Sequence, residues 1–143
     1  MATVEVARED IVRRQLAAIG RDPNAVAALY APDAVRYDPI TPEGMRGRDA
    51  IRKFQEMMAK AIPDISTRAV SITSKDDTVA AEWVVTGTLS GPIELPTGTL
   101  APTNRQFTLR GATFYRFNHE GLIAEHRQYF DMASFAQQLG VKL

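Results

Sequence analysis

The strongest constraint on the fold is a change of hydrophobic period at Pro63. Before it, apolar residues recur at the three- and four-residue spacing of amphipathic helices. After it, apolar and polar residues alternate, which is typical of half-buried strands. Helices followed by a run of long sequential strands predict an α+β domain, with a strongly curved antiparallel sheet wrapped around the helices.

Start and stop signals predict three helices before Pro63. Thr3 is a capping residue, and Asp22 is a second one that is followed by proline at the first helical position. Glycine and proline then mark the helix ends. The predicted helices run from Thr3 to about Ile19, from Asp22 to the proline at 32, and over 49–61, with a brief strand at 35–37 and a loop at 40–47.

Alternation predicts four strands, at 65–74, 78–89, 105–118 and 122–130. The Gly-, Pro- and Thr-rich segment 90–104 is predicted to be a hairpin excursion at the sheet edge. A short helix, Met132–Leu139, is predicted to end at Gly140. The inward faces of the second and third strands are predicted to carry Val79, Ala81, Trp83, Val85 and Leu89, and Phe107, Leu109, Thr113, Tyr115 and Phe117.

Composition narrows the function classes. The 143 residues fit a single domain over 1–143. Lys+Arg and Asp+Glu both count 17, without a block of like charge, which argues against nucleic acid or an anionic membrane as partner. Cysteine is absent and the two histidines are poorly placed for a shared metal. Without a signal-peptide pattern or a membrane-length apolar run, we expect a metal-free, cofactor-free cytoplasmic protein.

Two segments resemble known families. Residues 28–56, with Ala-Leu-Tyr-Ala-Pro-Asp-Ala-Val-Arg-Tyr-Asp-Pro and then Arg-Gly-Arg-Asp-Ala-Ile-Arg-Lys-Phe, resemble the front half of bacterial ketosteroid isomerases. Residues 99–140, with Leu-Ala-Pro-Thr-Asn-Arg-Gln-Phe, Glu-His-Arg and Gln-Leu-Gly, resemble SnoaL-like polyketide cyclases. Both belong to the nuclear transport factor two-like superfamily. The resemblance implies a cone-shaped fold around one deep apolar pocket, and leaves the reaction open because the fold hosts several.

Asp38 is the first candidate catalytic residue. It matches the position of the proton-shuttling base of ketosteroid isomerase, and burial at the rim of an apolar cavity is expected to raise its basicity. The alternative is a turn-forming aspartate before proline. The resemblance places Arg14 and Thr113 where ketosteroid isomerase carries its two oxyanion donors. Neither residue reproduces a neutral, strong donor pair, so the usual steroid mechanism is not expected.

The cyclase comparison points to the last strand. SnoaL-like cyclases carry a catalytic aspartate just after a His-Arg pair, and this sequence has Gln128 there, which cannot act as a general acid. Asp131 is expected to cap the final helix instead. His126 shares a strand face with Gln128 and, by the resemblance, points into the cavity. It is either an acid, base or donor, or a buried histidine bonded to one partner.

Two functions follow from these residues. The first is a cofactor-independent isomerase, cyclase or lyase acting next to a carbonyl of an apolar polyketide- or steroid-like substrate. Asp38 and His126 form its acid–base pair, with Asp38 as the base and His126 or Tyr115 steadying the oxyanion. The second is a non-catalytic ligand-binding or accessory module. The predicted substrate-binding residues are Tyr30, Phe54, Met58, Trp83, Thr113, Tyr115, Gln128 and Phe130.

The outer face of the predicted sheet has its own expected role. In this superfamily the convex face commonly forms a homodimer, and alternate strand residues here supply an apolar patch. We therefore expect a homodimer through this face. The patch consists of Val84, Ala112, Phe114 and Tyr129.

Overall fold

The protein is described by a computed structural model over residues 3–142. Three helices begin at a predicted cap: the side chains of Thr3, Asp22 and Asp131 each accept a hydrogen bond from a backbone N–H of the first turn. Each cap satisfies a donor that the helix itself leaves unpaired. The helices are α1 (Val4–Ala18), α2 (Pro23–Ala28), α3 (Arg48–Ala61) and α4 (Met132–Leu139).

Six of the strands form one curved sheet in the order β2-β1-β8-β7-β4-β3. All neighbouring pairs are antiparallel except β1 and β8, which are parallel. The sheet strands are β1 (Tyr30–Tyr37), β2 (Met45–Arg46), β3 (Ser66–Lys75), β4 (Thr78–Thr88), β7 (Gln106–Phe117) and β8 (Ile123–Phe130), and a separate hairpin consists of β5 (Ile93–Leu95) and β6 (Gly98–Leu100). The α+β architecture is the expected one, with the parallel pair as an addition.

The core lies between the concave face of the sheet and the helices. The inward sets predicted for β4 and β7 are on this face, and α1 packs against β3 and β4. Gly111 is paired opposite Trp83, and a Cβ at that glycine would lie 2.5 Å from the indole ring. A side chain at this position would therefore displace Trp83 from the core.

Three predicted elements differ from the structure, and the first is the 40–47 loop, which contains β2. The second helix ends at Ala28, and Tyr30 belongs to β1 rather than to the helix. Pro32 lies inside β1, where the pairing with β8 is irregular between Tyr30 and Val35, so its missing N–H removes no regular ladder bond. The 90–104 excursion is a hairpin, as predicted, but it packs on α3 instead of extending the sheet, and the Glu94 N–H lies 3.1 Å from Sδ of Met57.

Among residues 3–142, no helix is both long enough and apolar enough to cross a membrane.

Candidate functional site

An apolar cavity lies between the concave face of the sheet and helices α1 and α3. Its apolar wall includes Leu16, Phe54, Met58, Trp83, Leu109 and Phe130. The smaller part of the lining is polar, and these side chains can form hydrogen bonds with a ligand or exchange protons with it. They are Gln15, Arg36, Asp38, Gln55, Thr67, Tyr115, His126 and Gln128.

A buried ion pair forms one side of the cavity. Arg36 and Asp38 lie two residues apart, and both are less than a tenth exposed. A guanidinium nitrogen of Arg36 donates to Oδ2 of Asp38. The guanidinium also lies 4.6 Å from the centre of the Phe54 ring. A planar cation that is paired with a carboxylate and stacked on an aromatic face is held in one orientation.

The second oxygen of Asp38 organises the loop after β1. Oδ1 accepts hydrogen bonds from the backbone N–H groups of Ile40 at 2.8 Å and Thr41 at 2.7 Å, and from the Thr41 hydroxyl at 3.0 Å. Burial alone would raise the pKa of Asp38, but the charge of Arg36 and these hydrogen bonds outweigh it and lower the pKa below its ordinary value. The prediction that burial makes Asp38 more basic is therefore wrong for the protein without a ligand.

His126 lies on β8 directly opposite Arg36 of β1 and is 2 % exposed. Both ring nitrogens are used: the Tyr30 hydroxyl donates to Nδ1 at 2.8 Å, and Nε2–H donates to Oε1 of Gln128 at 3.1 Å. Burial, together with the charge of Arg36, lowers the pKa of His126 to about 3. The imidazole is therefore neutral near pH 7, so it has no imidazolium proton to give.

A line of hydrogen bonds leads to this histidine from the opposite wall. The Tyr115 hydroxyl donates to Oε1 of Gln15 at 2.7 Å, and Nε2 of Gln15 donates to the Tyr30 hydroxyl at 3.3 Å. Burial raises the pKa of both tyrosines, so both hydroxyls keep their protons. Each member donates to the next, from Tyr115 through Gln15, Tyr30 and His126 to Gln128. With the Gln15 amide in this orientation, His126 is the Nε2–H tautomer.

Gln128 is held from a second side. Nε1–H of Trp83 donates to the Thr113 hydroxyl at 2.9 Å, and that hydroxyl lies 3.5 Å from Oε1 of Gln128. The carbonyl oxygen of Gln128 thus faces both His126 and Thr113. Its amide N–H groups make no hydrogen bond within the described chain, and Gln128 lines the cavity. The arrangement presents Gln128 to a ligand as a hydrogen-bond donor.

The structure brings most of the predicted site residues to one cavity. The two predicted catalytic residues line it, together with Phe54, Met58, Trp83, Tyr115, Gln128 and Phe130. Tyr30 and Thr113 do not line it: both are fully buried and lie one hydrogen bond behind His126 and Gln128.

The structure also shows where Arg14 and Asp131 lie relative to the cavity. Arg14 is exposed on α1, and the buried residue on that turn is Gln15. Asp131 is exposed and accepts from the Ser134 N–H at 3.0 Å, as expected for a helix cap. Neither Arg14 nor Asp131 contributes to the cavity lining.

Three functional candidates were missed from the sequence: Gln15, Arg36 and Gln55. Arg36 shares a strand face with Asp38, and that two-residue spacing was the available signal. The two glutamines interrupt buried helical stripes, as Val12 and Leu16 flank one and Ile51 and Met58 flank the other. A single polar residue in such a stripe marks either a pocket or a buried hydrogen bond.

A metal centre has no support in the described chain. Residues 3–142 contain no group of three histidine, cysteine, aspartate or glutamate side chains placed to hold an ion. Over the same residues, the cavity contains one ion pair, Arg36 and Asp38. A metal cation that bound to the Asp38 carboxylate would have to compete with the Arg36 guanidinium.

Comparison with known proteins identifies the family. The chain is 44% identical over 62 residues to a steroid Δ-isomerase of Nocardioides simplex, a match that covers 43% of this chain and about half, 49%, of that relative. Its fold is similar to that of AclR from Streptomyces galilaeus, with a TM-score of 0.74, 26% identity, and 93% and 95% of the two chains covered.

A protein from Jannaschia sp. CCS1 classed as a SnoaL-like polyketide cyclase shares the fold over the whole chain. The TM-score is 0.84 at 14% identity, and 100% of this chain and 98% of that chain are covered. The model of the SnoaL-like polyketide cyclase family matches residues 10–139. The protein thus belongs to the SnoaL-like polyketide cyclase family.

Proposed function

We propose that the protein is a cofactor-independent isomerase, cyclase or lyase that moves a proton next to a carbonyl group of a small apolar substrate of polyketide or steroid type. The observation that carries this proposal is the charged Arg36–Asp38 pair, buried in the wall of a mostly apolar cavity. Asp38 supplies the base. Arg36 and Gln128 supply donors for the oxygen on which negative charge develops.

The chemical step is a proton transfer. Asp38 takes the proton from the carbon next to the carbonyl, and the electron pair of that C–H bond forms the C=C bond of an enolate. The carbonyl oxygen takes the negative charge. In an isomerase, Asp38 returns the proton to another carbon of the conjugated system. In a cyclase, the enolate carbon attacks a second carbonyl of the same molecule, and the oxygen of that carbonyl takes the proton back from Asp38. In a lyase, a leaving group departs with its electron pair and takes this proton.

The lowered pKa of Asp38 is compatible with this step because of the position of Arg36. Before the transfer the guanidinium faces one carboxylate, and afterwards it faces one enolate oxygen. The reaction therefore moves a negative charge beside a fixed cation and does not create a new buried charge. A carboxylate without this partner would be more basic, but it would leave the enolate uncompensated in an apolar cavity.

His126 acts through Gln128 in this proposal. Its Nε2–H is already committed to the Gln128 carbonyl oxygen, so the imidazole positions the amide and keeps its N–H groups toward the ligand. Tyr115 likewise donates its hydroxyl proton to Gln15. His126 and Tyr115, which were predicted to stabilise the oxyanion directly, thus have a positioning role in this proposal. Gln128 is the group that contacts the substrate.

Replacing Asp38 with Asn is expected to lower carbon-acid activity by about 100-fold or more, because Asn cannot accept the proton. The measurement is deuterium exchange into a panel of cyclic ketones and enones in deuterated water, followed by mass spectrometry. Asp33→Asn is the matched control, since Asp33 is an exposed acid on β1, the strand that precedes Asp38. Circular dichroism establishes that each variant is folded at the temperature of the assay.

Equal exchange by the wild type and Asp38→Asn would remove Asp38 as the base. It would favour the second candidate function, a non-catalytic ligand-binding or accessory module. The observation behind that candidate is the engagement of Asp38 Oδ1 with three donors of the following loop, which is the environment of a structural carboxylate.

We also propose a homodimer through the outer face of the sheet. Phe114 is 37% and Tyr129 is 56% exposed, and their rings pack edge to face at 6.1 Å. The Arg127 guanidinium lies 5.8 Å from the centre of the Phe114 ring. A cluster of exposed aromatic side chains on a flat strand surface is typical of an interface.

Tyr129→Glu is expected to convert the dimer to a monomer, because the substitution places a carboxylate in the apolar patch at its most exposed aromatic residue. The measurement is analytical ultracentrifugation at micromolar concentration. Val6→Glu is the control, since Val6 is an exposed apolar residue on α1, away from the sheet. A monomeric wild-type protein at that concentration would contradict the proposal.

A further inference from the structure

Gln55 is a buried polar side chain whose oxygen has no partner. It lies in the middle of α3, between Ile51 and Met58 on the face that packs inward, and it is 5% exposed. Its Oε1 atom is buried and accepts no hydrogen bond from any of the described residues. Gln55 lines the cavity. An unpaired buried carbonyl oxygen destabilises the folded protein, so Gln55 needs a donor from a molecule inside the cavity, either water or a ligand.

The second buried glutamine of the cavity provides the contrast. Gln15 is 1% exposed, and both ends of its amide are paired: Oε1 accepts from Tyr115, and Nε2 donates to Tyr30. Gln15 has the structural role that a buried amide requires. The two residues are chemically the same, are on neighbouring walls of one cavity, and differ in whether the protein satisfies them.

Two more unpaired polar atoms belong to residues that line the same cavity. Nε of Arg36 and the hydroxyl oxygen of Thr67 are buried without a partner among the described residues. Three of the five such atoms in the described chain therefore line this cavity. Two kinds of unpaired group thus lie beside the cavity: a donor at Arg36 and an acceptor at Gln55.

We propose that Gln55 accepts a hydrogen bond from a hydroxyl group of the substrate, so that the substrate is a hydroxylated carbonyl compound and not a simple ketone. This inference rests on the proposed function, since it takes the carbonyl group to lie at Arg36 and Gln128. Gln55 on α3 is then a second group that recognises the substrate, and it discriminates between ketones of similar size.

The chemistry of the cavity favours a hydroxyl group as the partner of Gln55. A carboxylate or ether has no proton to donate to a carbonyl oxygen. An ammonium group donates, but it would bring a second cation into the cavity that already holds the Arg36 guanidinium. A neutral hydroxyl group supplies the donor without changing the balance between Arg36 and Asp38.

The test compares ring-hydroxylated tetralones, as a set of positional isomers, with their methoxy analogues. The methoxy group has similar bulk and no proton to donate. Binding is followed through the fluorescence of Trp83, the single tryptophan, which lines the cavity. We expect at least one hydroxyl isomer to bind about tenfold more tightly than its methoxy partner, and the difference to disappear in Gln55→Met.

Thermal unfolding separates recognition from a structural role. Gln55→Met removes an unpaired acceptor at nearly constant volume, so its midpoint is expected to be unchanged or to rise by about 2–4 °C. Gln15→Met leaves the Tyr115 hydroxyl without its acceptor, so its midpoint is expected to fall. Should Gln55→Met not fold, Gln55→Leu replaces it in both measurements.

The inference is overturned if no hydroxyl isomer binds more tightly than its methoxy partner, or if the preference survives in Gln55→Met. It is also overturned if Gln55→Met lowers the midpoint as much as Gln15→Met and weakens hydroxyl and methoxy ligands alike. Deuterium exchange, measured on the same ketones, tests the proposed function separately. Hydroxyl preference without exchange would uphold the recognition by Gln55 and contradict the proton-transfer step.

Discussion

Lowering the pH from 6.5 towards 3 is expected to destabilise the protein by about 1.4 kcal/mol per pH unit through His126 alone. In the unfolded chain His126 takes up a proton near pH 6.5, whereas in the folded protein burial holds its pKa at about 3. Between these values the unfolded state binds one more proton, so stability rises with pH and is lost on acidification. The loss ends once the folded protein also becomes protonated.

The measurement is urea denaturation at several pH values between about 4 and 7, with the wild type beside His126→Gln. The variant cannot titrate in this range, so its plot of unfolding free energy against pH is expected to be shallower by about one proton. His119→Gln is the control, because His119 lies in an exposed turn. Parallel plots for the wild type and His126→Gln would mean that the folded protein admits a charged His126.

Removing one partner of the buried ion pair is expected to have the other large effect. Arg36→Met leaves the Asp38 carboxylate buried without its cation, and such changes cost about 3–5 kcal/mol. The matched control is Arg127→Met. Arg127 pairs with Glu125 at the same two-residue spacing, but the arginine side chain is 40% exposed, so its loss is expected to cost less than about 1 kcal/mol.

A double-mutant cycle completes this test. Arg36→Met combined with Asp38→Asn is expected to lose less stability than the sum of the two single variants, by about 1–3 kcal/mol, because each single variant leaves one charge buried alone. Additive losses, or an effect of Arg36→Met no larger than that of Arg127→Met, would show that water reaches the pair and compensates the charge.

Local signals were sufficient to predict most of the fold. The caps at Thr3 and Asp22, and the alternating faces of the long strands, depend on short-range rules, and all are present in the structure. The second helix was predicted too long because Pro32 was interpreted as a helix stop. Its position in β1 depends on a pairing irregularity with β8, which lies about 90 residues later in the chain.

The site was less accessible to prediction, for a similar reason. Asp38, His126 and Gln128 were identified, but the effect of Arg36 on Asp38 was not. The pattern Val35-Arg36-Tyr37 resembles a strand with its arginine outward, whereas the structure turns Ala34, Arg36 and Asp38 to the inside. An alternating pattern does not by itself determine which face is buried. The burial of this face of β1 depends on its pairing with β8, which forms the adjoining wall of the cavity.

The parallel pairing of β1 with β8 also has a consequence for synthesis of the chain. Tyr30 is in register with Ile123, so the strand that carries Arg36 has this neighbour only after the whole segment between β1 and β8 has been translated. Until β8 leaves the ribosome, one edge of β1 is open and the cavity lacks the wall that holds His126 and Gln128. Closing so long a loop is entropically costly and slow. Assembly of the site therefore has to wait for β8, and a chain without this strand lacks the wall of the cavity that carries His126 and Gln128.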